Sequence, residues 1–170
     1  MKQSLLLLTA LVFQLVGCSA LHAPETGDAS RYAQALAGRT PVYNWRAKGR
    51  MHFVCTYDSK GLYWRFERPS GNLYADNGRL EGRLNADWSI TARDGSHLPA
   101  RILLNGPTGS QSDLRDAVFE SDPPAKGILA RVVRIERKHA KGGMPLTKCS
   151  ASQRGQRLQV PFEARWILLR

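Results

Sequence analysis

The sequence predicts an all-β protein, an antiparallel sandwich or closed barrel of roughly eight to nine strands with one short N-terminal helix and one disulfide. Three observations carry that expectation. The C-terminal segment alternates with period two: Leu158, Val160, Phe162, Ala164, Trp166 and Leu168 fall on one side, Arg157, Gln159, Glu163 and Arg165 on the other. Short alternating segments recur upstream at turn spacing. Helical periodicity is scarce after Gly38.

Before the strands stands a different kind of segment. Met1-Lys2 gives a positive start, Ser4 to Val16 is an apolar run, and Leu15-Val16-Gly17-Cys18 closes it. That pattern is similar to the signal and lipobox of bacterial lipoproteins, which implies cleavage before Cys18 and lipidation of its thiol. A spanning helix needs about 20 apolar residues, and the polar stretch Ser19 to Ser30 follows too soon for one. Two or three acyl chains, at about 0.8 kcal/mol per buried methylene, hold a protein on a membrane where one does not. By the family's sorting pattern, Ser19 after the cysteine directs the protein to the outer membrane, facing the periplasm or the cell surface. An ordinary cut near Ala20 or Ala23 is the competing reading.

The expected organisation is therefore a signal peptide over 1–17, a tether and short helix over 18–38, and a single β domain over 39–170. Ser30 is the expected cap of a helix over Arg31 to Ala37, which Gly38 stops.

Of three cysteines, assigning Cys18 to lipid leaves Cys55 and Cys149. A bridge between them would close a loop of about 95 residues, worth on the order of 4 to 5 kcal/mol in the chain-entropy model. Two buried free thiols are the alternative.

Within the domain, Phe53-Cys55-Tyr57 and Leu62-Trp64-Phe66 form a hairpin about Asp58 to Gly61. Asp76-Asn77-Gly78 reverses the chain between Asn72 to Ala75 and Arg79 to Leu84. A second hairpin is expected from Trp88-Ile90-Ala92 to Leu98-Ala100-Ile102-Leu104 through Asp94-Gly95. Ile128 to Lys138 reads as one strand whose alternation slips at Val132-Val133, the mark of a β-bulge. Pro161 places the last strand at an edge or at a bulge. Residues 105–127 are an irregular excursion, with a short strand or turn at Ala117 to Phe119.

The net charge of +11 gathers in clusters such as Arg131, Arg134, Arg137 and Lys138. An exported basic protein meets lipid headgroups and anionic envelope polymer before nucleic acid, and no nucleic-acid motif is present. A solvated basic face is the simpler reading of the same residues.

From Val42 to Leu169 the order of features resembles a family of secreted bacterial and fungal proteins of unknown function. The resemblance rests on Cys55, Tyr63-Trp64-Arg65-Phe66, Asp87-Trp88, Asp94-Gly95-Ser96, Gly127-Ile128-Leu129 and Arg131 to Arg137. It continues through Gly142-Gly143, Cys149-Ser150-Ala151, Gly155 and Val160-Pro161-Phe162. It implies a recurring Cys55–Cys149 pair and export, and it carries no activity. The chain departs from the family at Arg83-Leu84-Asn85-Ala86-Asp87, where a His and a Gly-Pro-Thr are expected, and in the polar loop before Gly127.

Candidate chemistry is sparse. His22, His52, His97 and His139 stand singly, so no metal or other cofactor is expected. Asp94, Ser96 and His97 are the types of a hydrolytic triad but read as turn chemistry. Glu67 and Glu81 are the types of a glycosidase pair, and Glu67 reads as an outward partner of Arg65 or Arg68. Gly142-Gly143 after a basic strand end is a candidate anion loop. Trp64, Phe66, Trp88 and Trp166 face inward and are the candidate lining of a ligand cavity. The expected function is a non-catalytic envelope binding module, for an apolar small molecule inside or an anionic polymer or lipid headgroups outside. The alternative is an envelope hydrolase assembled from separate strands.

Overall fold

The computed structural model describes residues 26–170, so Cys18, the signal segment and most of the tether lie outside the described residues. Helix α1 (Thr26–Leu36) is followed by nine strands: β1 (Pro41–Asp58), β2 (Gly61–Tyr74), β3 (Leu80–Leu84), β4 (Ile90–Ala92), β5 (His97–Leu98), β6 (Ala100–Asn105), β7 (Ala117–Ser121), β8 (Arg134–Gly142) and β9 (Arg157–Leu169). Ser30 sits inside α1 rather than capping it, because the helix begins at Thr26. Gly38 does end it, with φ 70°.

All pairings are antiparallel, in the order β5-β4-β3-β2-β1-β9-β8-β7-β6. Strands β5 and β6 are separated only by Pro99, yet they occupy opposite ends of that order. The sheet has therefore curled into a nearly closed barrel. Beside the seam the Asp122 N–H donates to the Pro99 carbonyl at 3.1 Å, which continues the β6–β7 ladder past Ala100 and Ser121. The hairpin arm expected to run from Leu98 through Leu104 is thus two strands, since Pro99 has no N–H for a ladder and the chain crosses there to the other edge.

The β1–β2 hairpin has the expected register, with Cys55 opposite Trp64 and Asp58 opposite Gly61. The inward residues of β9 match their period: Phe162, Ala164, Trp166 and Leu168 are buried with Met51, Leu73, Ile90, Phe119 and Ile135. Strand β9 is central, between β1 and β8, and not an edge. Pro161 is tolerated there because it lies just past the last β8 pair, Gly142 with Phe162.

The segment before β8 also departs from its pattern. Residues 128–131 form a turn, closed by the Ala130 N–H on the Gly127 carbonyl, and β8 begins only at Arg134. Leu129 and Val132 are fully buried and plug one end of the barrel. Apolarity there serves a plug, so it shows no strand period. The slip lies instead between Lys138 and Lys141, where His139 has φ 53° and donates its N–H to Asp116.

Cys55 and Cys149 are joined in a disulfide, with Cα atoms 5.9 Å apart. It ties β1 to the connection between β8 and β9. The Gly155 N–H on the Cys55 carbonyl and the Cys55 N–H on the Gln156 carbonyl extend that junction.

Candidate functional site

Two features stand out from the packed barrel: an arginine inside it and a track of cations across its outer face.

The interior feature begins with three similar turns. At Ala75 to Arg79, Asn85 to Ser89 and Ala92 to Ser96, the first N–H donates to the fifth carbonyl and the fourth N–H to the first carbonyl. In each the fifth N–H is taken by the third side chain, Asn77, Asp87 or Asp94. The fourth residue is left-handed in all three, with φ 83° at Gly78, 72° at Trp88 and 81° at Gly95. Glycine adopts that conformation freely, whereas a tryptophan bears about 1–2 kcal/mol of strain. Trp88 is thus a turn residue, not part of the strand expected over Trp88 to Ala92. Asp87 holds its turn by accepting from the Ser89 hydroxyl and N–H, and these bonds, the hydroxyl's first, keep its carboxyl below the ordinary range.

The turn aims the Trp88 ring into the barrel. It stacks on Phe66 at 5.7 Å between centroids and on Trp166 at 6.4 Å, and tilts against Phe119 at 5.4 Å. Phe66 remains 41% exposed at the rim, while Trp166 is fully buried. Three of the four aromatic candidates therefore meet. Trp64 lies apart, in a groove of about 240 Å³ shared with Phe53 and Met144 to Lys148. Trp64 and Trp88 do not line a common void.

Against this cluster lies Arg137, which is 3% exposed. It pairs with Trp166 across β8 and β9 and so shares its inward face. The guanidinium stands 5.2 Å from the Trp88 ring centroid and 5.5 Å from that of Phe119. Its Nε and Nη2 donate to the Arg115 carbonyl at 3.1 and 2.8 Å. Its Nη1 is buried without a partner, as is the Trp166 Nε1. Burial pushes the guanidinium down to about 10, opposed by Asp116, so it stays charged near neutrality. The sequence groups Arg137 with Arg131, Arg134 and Lys138 as a basic cluster, and the structure removes it from that group. The signal was present, since Ile135 and Arg137 share a phase, but a strand begun at Ile128 with a slip at Val132 hides it.

The outer feature follows from the even phase of β1. Arg46, Lys48, Arg50 and His52 point outward beside Arg65 and Arg68 of β2, Arg83 of β3, and Arg157 and Arg165 of β9. Lys48 pairs with Glu163, Arg157 with Glu67 and Arg165 with Asp76. Among the described residues, Arg50, Arg65, Arg68 and Arg83 have no carboxylate partner in an ion pair. A groove of about 570 Å³ runs between Arg83, Lys48 and Arg50, with Gly49 and Gly71 in its lining. A second depression of about 460 Å³ continues it over Pro161 to Lys141. The track crosses five strands from β3 to β8, about 19 Å at the usual strand spacing. Desolvation first, and then the Arg68 charge, hold His52 below its ordinary value.

The remaining candidates have structural partners. Asp94 accepts from the Ser96 hydroxyl and N–H and from the Ile128 N–H at 2.8 Å, fixing the plug, while His97 faces Thr91. These three residues form no relay. Glu67 bonds Arg157 rather than Arg65 or Arg68, and Glu81 is buried between Arg79 and Arg93. Gly142 and Gly143 are left-handed, and the anion on the Gly142 N–H is the Asp113 carboxylate at 2.7 Å. Among the described residues, no three His, Cys, Asp or Glu side chains gather at metal-binding distance.

What fold and site define is a class: a disulfide-tied, nearly closed antiparallel barrel with a buried arginine and a cationic outer track. No protein-family model, curated protein or solved structure matches the chain.

Proposed function

We propose that this is an exported, lipid-anchored envelope protein whose barrel is a non-catalytic binding module for an anionic envelope component. One observation carries the reading: the groove that links Arg83, Arg50, Lys48 and Lys141, with Gly49, Gly71, Pro161 and Phe162 in its lining and the Glu163 carboxylate beside Lys48. Strand β9 contributes the compact Pro161 there, and the backbone of Gly49 and Gly71 completes the lining, so an extended chain of phosphates or carboxylates can lie along it. The interior apolar cavity loses support, because Trp88 packs on Trp166 and Phe119. The hydrolase alternative loses support as well, because Glu67 and Glu81 are held by arginines.

Export is supported by the disulfide, by the lipobox-like Leu15-Val16-Gly17-Cys18, and by the resemblance to secreted proteins. Palmitate labelling of cells is expected to mark the wild type and to spare Cys18→Ala. Equal labelling of the two would remove the anchor from this account.

Binding is tested with full-length Cys18→Ala protein and two probes, phosphatidylcholine vesicles with or without phosphatidylglycerol and soluble inorganic polyphosphate. Each cation near an anionic surface contributes about 1 kcal/mol, so Arg50→Glu with Arg83→Glu is expected to weaken binding by about tenfold or more. Binding should fall as salt rises, because exposed charges are screened beyond about 10 Å at 0.1 M ionic strength. Vesicle binding alone identifies headgroups, and polymer binding alone identifies an envelope polymer. Binding to neither, or binding indifferent to Arg50 and Arg83, would overturn the proposal.

A further inference from the structure

The charge of Arg137 is unusual in forming no ion pair among the described residues: the Asp116 carboxylate acts on it without touching it. One backbone carbonyl is its acceptor. A buried charge is tolerated when it is paired, and the ring faces of Trp88 and Phe119 supply only part of that compensation. Two donors, Arg137 Nη1 and Trp166 Nε1, are left over in the same cluster. The residue that covers Arg137, Trp88, is also the one held in a left-handed turn position that two sister turns give to glycine. Strain of that kind persists where surrounding contacts over-determine it, and it marks segments able to change state.

We propose that Arg137 is the anion-binding group of an interior site for a small monoanion with a flat apolar body, and that the Trp88 ring is its lid. When the ring leaves, the ligand's body takes its place against Phe119 and Trp166, and its charged end meets Nη1 of Arg137. Phe66, exposed at the rim and stacked on Trp88, lies on the way in. Carboxylates and sulfonates on an aromatic or similarly planar body fit this chemistry. A planar guanidinium binds such two-oxygen groups side by side. The site is independent of the outer track, and either can fail without the other.

The test uses 1-anilinonaphthalene-8-sulfonate and its neutral analogue N-phenyl-1-naphthylamine, which shares the rings and lacks the sulfonate. Trp88→Gly keeps the turn, as Gly78 and Gly95 do, and removes the lid. A binding-competent state that is a minor population reduces apparent affinity by its fraction, so removing the lid is expected to tighten sulfonate binding by about tenfold or more. Surface cations also attract the sulfonate, so the deciding readout is local. Phenylglyoxal modification of Arg137, followed by peptide mass mapping, is expected to be slow in the wild type and fast in Trp88→Gly. The sulfonate should slow it again, and the neutral analogue should not.

If the sulfonate leaves the rate at Arg137 unchanged, or both probes protect equally, the proposal is overturned. Should Trp88→Gly fail to fold, the same protection comparison is made on the wild type over longer exposure, with the same two outcomes. Arg137→Met adds a check: sulfonate binding falls while the neutral analogue's is retained.

Discussion

Replacing Cys55 and Cys149 together by alanine is expected to lower stability by about 4 to 5 kcal/mol, read as a shift in the urea midpoint against the oxidised wild type. The two residues are 94 positions apart, so the bridge constrains most of the unfolded chain's barrel sequence. In the chain-entropy account the cost depends only weakly on loop length. Both cysteines are buried, and alanine leaves little polar atom stranded, so the loss isolates the cross-link rather than a hydrogen bond. Domains have about 5–15 kcal/mol in total, so the double variant would stand near its threshold. The effect is also local: Lys148 and Leu146 border the Trp64 groove one to three residues from Cys149. A shift below about 1 kcal/mol would show that the reduced chain keeps this loop closed by other means.

The strands that can be read from sequence are those with one buried face and a turn of standard chemistry. β9 alternates because its inward side packs and its outward side meets solvent, and β1–β2 is bounded by Asp58 to Gly61, where Asp58 accepts from the Lys60 N–H. The element boundaries fail where apolarity has another purpose. Residues 128–133 plug the barrel and so carry hydrophobic side chains without a strand's period. Pro99 splits one expected strand because the barrel closes there, a fact of topology that local pattern does not hold. Three members of the aromatic site were visible as inward rings, but Arg137 was not, because its inward phase depends on where β8 starts. Trp88 in a glycine position was hidden for a similar reason. Only the hydrogen bonds reveal that Asn85 to Ser89 repeats the turns at Gly78 and Gly95. The outer track was hidden differently: its residues come from β3, β2, β1, β9 and β8, and only the register brings them into line.

Gly49→Ala is expected to cost about 3 kcal/mol, at the upper end for overpacking, because the added methyl meets the backbone of the facing strand as well as a buried ring. Its Cβ would press into the Ser70 carbonyl oxygen and stand 2.8 Å from the Gly71 Cα and from the Phe162 ring. Gly49 lies opposite both Gly71 on β2 and Phe162 on β9, so neither neighbouring strand can yield without breaking a ladder. The reciprocal contact is as tight: a Cβ on Gly71 would stand 2.8 Å from the Lys48 carbonyl oxygen. Glycines placed this way let a sheet bend sharply enough to close. Gly95→Asn is the control: that turn position has open space around it and φ 81°, which asparagine accepts, so its cost should stay below about 1 kcal/mol. The two variants together separate close approach from backbone conformation. Because Gly49 also borders the groove beside Lys48 and Arg50, forcing β1 away from β2 reshapes the cationic track. Folded Gly49→Ala protein should therefore bind the polyphosphate probe less tightly than the wild type does. Unchanged affinity would show that the exposed guanidinium groups bind without the shape of the floor beneath them.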